Sequence, residues 1–550
     1  MQKFNPESKK SGKYLFVSGS RKSRFNFPGL RLFFVIMIVG MLFDGNWGMG
    51  QEISPPEKLT LSVFADKTFY TGKSLLLTSK IKNVRVNLKG AVFKYAIHTA
   101  ATGAVAANKE TKKILLVSTE KIDIGQLPCA DYNIEAAVFD RDGACLAKAS
   151  TSFCKISPLD EKIPRLRISR EGIPLLDGKP HLLRLVWLGG SWEGPIEKEE
   201  LKLVAEQGFD SVVAGPVYMP GDALAYYTKY PQMGKGGHLS IVKRSKFKDF
   251  NQFLEALHEY GLTCFPRVGA VTSSFAELSM DNLKDTGKFI LKYRNNPAVI
   301  GWYSHDETDA WVKTNRQVYN VIKEVDPCRP VLLNLIEAVD ANKDSCDILS
   351  TDPYPVGKTK LTLVSAHGDR LVKCLRKINY KTPWLVLQMF GSPAEGWPRP
   401  PTPQEEKCMT YLALNHGVKG LIYFAHNRLA TLSNSKRLTP QLWDSMKALN
   451  AETKEMALPY LAGKDLKGVN TPVKALDIAV KQYGKSIFVI AVNTLPKTFD
   501  AVVNISAVVG KKQNKAAVKF ESREISVDNG ILKDSFQPYG VHVYVIDSGQ

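Results

Sequence analysis

Residues 298–307 read AVIGWYSHDE, and the run Ala298–Tyr303 is apolar enough for a strand packed on both faces. It ends in Ser304, His305, Asp306 and Glu307. Ionised carboxylates are costly inside a packed core, so two of them directly after a buried strand belong where that strand opens to water. A fold is needed that buries strand bodies and exposes strand ends.

The surrounding sequence repeats this unit. Strand-like runs are expected at Leu182–Leu188, Ser211–Gly215, Thr263–Val268, Val299–Tyr303, Pro330–Leu335, Asp347–Thr351, Trp384–Gln388 and Gly420–Phe424. Amphipathic stretches separate them, among them KEELKLVAEQG, FKDFNQFLEALHEYG, DNLKDTGKFILKYRN, NRQVYNVIKEVD, DRLVKCLRKI and PQEEKCMTYLALNHG, with TPQLWDSMKALNAETKEMAL after the last strand. Gly208, Gly261 and Gly417 fall where helix C-caps belong. Eight strands alternating with helices over about 290 residues predict a (β/α)8 TIM barrel across 165–462. A doubly wound sheet would call for a glycine-rich phosphate turn, and LGGSWEG has the wrong spacing.

The flanks have a different rhythm. Residues 52–160 alternate with period two in short runs, which predicts an Ig-like β-sandwich of about 100 residues. Residues 466–550 return to that pattern and predict a small C-terminal all-β domain, with GKDLKGVNTP as the linker. The chain is thus expected to be multidomain. Residues 1–50 carry eight Lys and Arg against Glu7 and Asp44, and the twelve residues after Arg31 are apolar but for Gly40. That is short for a membrane span and suits a signal peptide cleaved near Gly50, so a secreted, periplasmic or cell-surface protein is expected, with no membrane span after cleavage. The net charge is +20. An exported protein is a poor nucleic-acid binder, so this charge points to a basic surface or to an acidic glycan. Eight cysteines form no CxxC pair, which argues against structural zinc; Cys129, Cys145 and Cys154 lie close enough in sequence for a bridge between two of them.

Active sites of such barrels lie at the C-terminal strand ends. The residues there are Trp187, Gly189 and Trp192 after the first strand, Pro216 and Tyr218 after the second, and Arg267 after the third. His305, Asp306 and Glu307 follow the fourth, Asp352 and Tyr354 the sixth, Gln388 the seventh with Glu395 and Trp397 in its loop, and His426 and Asn427 the eighth. Flat aromatic faces beside Asp, Asn, His and Arg suit a carbohydrate: rings stack on the aromatics and hydroxyls bond the polar groups. No cofactor is called for. A metal site from His305, Asp306 and Asp352 is the weaker alternative, and Trp187 and Trp302 also read as barrel packing.

These segments resemble the clan A glycoside hydrolases. The resemblance covers roughly 165–550 and is carried by IPLLDGKPHLLRLVWLGG, NNPAVIGWYSHDE, DILSTDPYP, PWLVLQMFG and RPPTPQEEKCMTYLALNHGVKGLIYFAHN. It implies Glu307 as general acid/base. Two departures stand out: Asp306 occupies the usual place of Asn, and Gln388 stands where the clan has its nucleophilic Glu. A neutral amide cannot form the glycosyl ester. An inverting pair of Glu307 with Asp352 or Glu395, roughly 6.5–9.5 Å apart, is one way out. A substrate-assisted hexosaminidase-type use of Asp306 and Glu307, a nucleophile from another loop, and a barrel that binds glycan without cleaving it are the others.

Overall fold

The computed structural model describes residues 59–82, 88–112, 114–159, 165–188, 197–214, 246–268, 278–393, 396–425, 438–509 and 514–547. Eight parallel strands form the central sheet: β1 Leu183–Trp187, β2 Ser211–Ala214, β3 Thr263–Pro266, β4 Trp302–Asp306, β5 Val331–Leu335, β6 Ile348–Thr351, β7 Thr382–Gln388 and β8 Gly420–Phe424. The sheet runs β3-β2-β1-β8-β7-β6-β5-β4, and bridges Cys264↔Val299 and Arg267↔Tyr303 join its two ends into a closed barrel. Each strand is followed by a helix: α1 Lys198–Glu206, α2 Phe250–Glu259, α3 Met280–Tyr293, α4 Val312–Val325, the short α5 Val339–Asn342, α6 Leu363–Leu375, α7 Pro403–Asn415 and α8 Pro440–Ala462.

Strand residues alternate between lumen and helix layer, as period-two side chains must. Trp187, Val213, Phe265, Tyr303, Leu332, Ile348, Trp384 and Ile422 fill the lumen. Val186, Val212, Cys264, Trp302, Val331, Leu349, Leu385 and Leu421 face the helices. A hairpin of strands Leu166–Ile168, Pro174–Leu176 and Lys179–Pro180 precedes β1, and its Leu166 joins the lumen core from below. Helix starts follow local chemistry: Ser279 and Asn282 form a capping box on α3, and Thr402 and Glu405 another on α7, with Pro403 opening that helix. The expected C-cap glycines adopt the left-handed backbone, with φ of 80° at Gly208, 69° at Gly261 and 80° at Gly417.

Several boundaries differ from the sequence reading, and at β4 and α6 the residues show why. β4 lies three residues further on than expected, because Ser304 and His305 pair within the strand: Ser304 Oγ donates to the Leu332 carbonyl at 2.9 Å, and His305 is fully buried. α6 starts at Leu363 rather than Asp369; Gly368 lies on its buried face and interrupts the apolar period.

On the N-terminal side, strands Thr60–Ala65, Ser74–Lys82 and Val117–Asp123 form one sheet. Strands Phe69–Tyr70, Cys145–Lys155, Ala130–Phe139, Val92–Thr99 and Val105–Thr111 form a second sheet, and the two share one apolar core. Val105–Thr111 escaped the sequence reading because AANKE carries no apolar alternation. The proposed cysteine bridge does not form: all eight cysteines are free thiols, and Cys154 donates to Asp131 at 2.6 Å. These sheets clasp the barrel through α3 and α4. Glu324 accepts from the backbone N–H groups of Thr68 and Phe69 at 2.9 and 3.0 Å, and the Phe69 ring lies on Gly287, where a Cβ would sit 2.0 Å from it. On the C-terminal side, eight antiparallel strands between Lys464 and Asp547 form one hydrogen-bonded array, which takes Lys464–Asp465 out of the expected linker. Among the described residues, no helix is long and apolar enough to cross a membrane.

The start of β4 is held by a buried ion pair. Asp326 and Arg329 are fully buried at 3.0 Å, Asp326 also accepts from Trp302 Nε1 at 2.9 Å, and Arg329 Nε donates to the Val299 carbonyl at 2.8 Å. Asp326→Ala leaves a buried guanidinium unpaired, so it is expected to cost about 3–5 kcal/mol, read as a lower unfolding midpoint in denaturant. His416, at the end of α7, joins the C-terminal array to the barrel through Asp477 at 2.7 Å and Asp369 at 2.8 Å. Burial opposes its charge, but the two carboxylates outweigh burial and lift its pKa from 6.5 to about 9. Because the folded value lies above the unfolded one, this stabilisation is complete below about pH 6.5 and is lost as pH rises through about 9. His416→Gln is expected to flatten the stability–pH curve across that window, measured by thermal unfolding at stepped pH.

Candidate active site

The C-terminal end of β4 sets the site. Between β4 and β5 the register advances three residues on one strand, Tyr303 to Asp306, against two on the other, Leu332 to Asn334. Such a bulge re-aims the side chains beyond it. Asp306 ends the strand half-buried, with Oδ1 accepting from Tyr303 Oη at 2.7 Å and from Asn334 Nδ2 at 3.2 Å. Arg267 from the end of β3 approaches Asp306 Oδ2 at 3.6 Å, and its guanidinium lies 5.4 Å from the centre of the Trp187 ring. Arg267 is thus an ion-pair partner of Asp306.

Glu307 is the first residue beyond the strand. It is exposed, its N–H donates to the Asn334 carbonyl at 3.0 Å, and its φ is 52°. A non-glycine residue in the left-handed region is strained, and such strain persists where surrounding contacts enforce it. Here the enforcing contacts are visible. Asp309 accepts from the backbone N–H groups of Ile336, Glu337 and Ala338, while Asn315 of α4 binds Thr308 and Asn342.

Asp352, one residue past β6, meets Glu307 directly. The two carboxyl groups lie close together, with the Asp306 carboxylate nearby. Burial and the negative charges of Glu307 and Asp306 together push the Asp352 carboxyl well above the usual carboxylate range. Tyr354 bonds Asp352, and burial with the same three acids raises its phenol.

The remaining expected residues divide. Tyr354, Trp397, Phe390 and Phe424 build an aromatic wall beside Asp352, with Trp397 Nε1 donating to the Tyr354 carbonyl at 3.2 Å and Lys358 Nζ 3.1 Å from the Trp397 ring centre. Trp187 is buried in the lumen, edge-on to Tyr303 at 5.1 Å, so it is the floor of the site and a packing residue. Trp302 faces the helix layer and is packing as well. His305 is fully buried behind β4 against Asn315 of α4, and burial with the nearby Arg267 charge lowers its pKa to about 4. It is therefore neutral and away from the rim, against the expectation of a ligand contact. Gln388 is fully buried too: Oε1 accepts from Val356 N at 2.8 Å and Nε2 donates to the Phe390 carbonyl at 3.1 Å. It ties the loop after β6 to that after β7 instead of reaching a substrate. Gly189, Trp192, Pro216, Tyr218, Glu395, His426 and Asn427, and the leader 1–50, lie outside the described residues. Among the described residues, no group of three or more His, Cys, Asp or Glu side chains is arranged to hold a metal ion.

The sequence reading took no residue from β5, yet Asn334 fixes both acids of β4 and accepts from Ser350 Oγ at 2.9 Å. The signal was present: VLLNL places one amide inside an otherwise apolar strand, and a buried amide needs partners.

Residues 290–456 match the glycoside hydrolase family 42 profile, described as beta-galactosidase. The match runs from α3 through α8 and includes Asp306, Glu307 and Asp352. The matched segment, which carries the β4–β8 rim of the (β/α)8 barrel, is thus similar to a glycoside hydrolase. No curated protein matches the chain. Among solved structures, AmyP in complex with maltose is 10% identical, with a TM-score of 0.44 over 66% of this chain and 96% of that one. A putative beta-galactosidase from Bacteroides fragilis is 11% identical, with a TM-score of 0.36 over 88% and 72%. A β-glucuronidase from Ruminococcus gnavus in complex with D-glucuronic acid is 14% identical, with a TM-score of 0.35 over 72% and 68%.

Gln388→Glu is not expected to create a nucleophile. It would set a carboxylate oxygen against the Phe390 carbonyl in a buried position, for a loss of about 1–3 kcal/mol, with no gain in hydrolysis. Unfolding midpoints and glycoside assays on the variant check both halves.

Proposed function

We propose that this protein is an exported glycoside hydrolase in which Glu307, beside the Asp352 carboxyl, protonates the leaving glycosidic oxygen of an oligo- or polysaccharide. The observation that carries this reading is the convergence of Asp306, Glu307 and Asp352 from the ends of β4 and β6 at the mouth of the barrel, where burial and like charge push the Asp352 carboxyl upward. General acid catalysis needs a carboxyl that keeps its proton near the working pH, and a second carboxyl raised by burial and like charge retains one. Glu307 stands in an exposed position at that mouth, beside an aromatic wall suited to a sugar ring. Asp352 then acts through Glu307, as the raised carboxyl beside it.

A substrate-assisted route is the second reading, favoured by the fixed orientation of Asp306. Tyr303, Asn334 and Arg267 hold its carboxylate beside Glu307, as orienting a substrate acetamido group would require. We assign 52–160 to an Ig-like sandwich and 466–550 to a separate β-domain, both bracing the barrel at 165–462. We assign 1–50 to a signal peptide cleaved near Gly50, which gives a secreted, periplasmic or cell-surface enzyme.

Hydrolysis of a panel of unactivated neutral, N-acetylated and uronate-bearing oligosaccharides tests the assignment. Glu307→Gln is expected to lose roughly 10²–10⁴-fold in turnover while keeping its fold. Undiminished turnover would remove its role, and a panel untouched by the wild type would favour a glycan-binding barrel. Asp352→Asn removes the carboxyl that burial and like charge raise, so the high-pH limb of the rate profile is expected to move to lower pH. Asp306→Asn is expected to abolish N-acetylated substrates selectively if the second reading holds.

A further inference from the structure

A second polar cavity, of about 640 Å³, lies at the opposite end of the barrel from Glu307. It is bounded by the residues entering β7 and β8, the end of α6, the hairpin before β1 and the start of the C-terminal array. Its size falls in the range of about 300–1,000 Å³ usual for ligand sites. Seven Lys and Arg side chains line it against three carboxylates. Those three are already engaged: Asp369 by His416 at 2.8 Å, Asp465 by Lys481 at 2.5 Å and Glu171 by Ser169 at 3.0 Å. Among the described residues, no carboxylate lies within ion-pair distance of Arg170, Lys373, Arg376 or Lys377.

The strongest crowding is at Lys419 and Lys481. Lys481 is buried, and Lys419 donates to the Glu171 carbonyl at 2.8 Å. Burial first, then repulsion from Lys481, lowers the Lys419 pKa, a cost that a bound anion would relieve. The loop carrying Arg376 and Lys377 is also held in a strained shape, with φ of 72° at Lys377 and 60° at Tyr380.

We propose that this cavity binds clustered oxyanions on an acidic glycan, the sulfate or carboxylate groups of a chain whose scission takes place at the other end of the barrel. The oxyanion chemistry follows from the cavity itself; the choice of a glycan as its carrier rests on the reading of the barrel as a glycosidase. Such a site would tether the enzyme to a charged polymer without taking part in catalysis.

Isothermal titration of the full chain with a chondroitin sulfate hexasaccharide tests this. Uncharged chitohexaose, inorganic sulfate and a short DNA duplex serve as comparison ligands. Wild type and Glu307→Gln are expected to bind the charged hexasaccharide alike, and the exposed-site double variant Arg376→Gln/Lys377→Gln about tenfold more weakly. Chitohexaose and sulfate alone are expected to bind far more weakly than the charged hexasaccharide. Equal binding by the double variant, or loss of binding in Glu307→Gln, would overturn the site. Equal affinity for free sulfate or for DNA would overturn the acidic glycan as its ligand. A failure of hydrolysis by the wild type, with these binding results intact, would count against the catalytic reading alone.

Discussion

Crowding in the lumen of the barrel is the constraint on which the site above it depends. Trp187, Phe265, Tyr303 and Trp384 fill the lumen side by side, and a ring that bulky needs space opposite it. Gly301 supplies that space for Phe265: a Cβ there would lie 2.2 Å from the ring. Interiors pack to crystal-like density, so this fit fixes the height of β4 against β3. With that height set, Tyr303 stands edge-on to Trp187, and its hydroxyl reaches up to Asp306. The polar site therefore rests on an aromatic floor whose position leaves little freedom.

Above that floor the electrostatics divide three acids into two kinds. Asp306 faces donors: a phenol, an amide and a guanidinium. Asp352 faces burial and other acids, which push its carboxyl well above the usual carboxylate range. Glu307, between them and at the edge of solvent, can serve either group. Contrasting environments for neighbouring carboxyls are how one site separates a charged role from a neutral one at a single pH.

The barrel was legible because its signal is repeated. Eight apolar runs and the helices between them constrain one another even where single boundaries slip, as at β4 and α6. The rim was legible as a set of strand ends, which brought out Asp306, Glu307, Asp352 and Tyr354. What strand ends could not give was direction. His305 and Asp306 are neighbours, yet one points behind the strand to Asn315 and the other into the cleft, with the bulge after Tyr303 setting the latter. Gln388 sits at a strand end as expected, but its amide is consumed by two loop backbones that no periodicity reveals. Asn334 escaped because it lies within its strand, where a reading of strand ends gives polar residues no weight.

The clasp of Glu324 and Phe69 on α3 and α4 bears on how such a chain could have been assembled over evolution. Those two helices flank β4, so the surface that receives the N-terminal sheets also backs the strand bearing Glu307. A gene fusion that swapped in an unrelated sheet pair would leave the half-buried Glu324 without its two N–H donors and open a hollow over Gly287. In packing terms the N-terminal sheets and the barrel are thus a matched pair, and a change on one side of the clasp calls for a compensating change on the other.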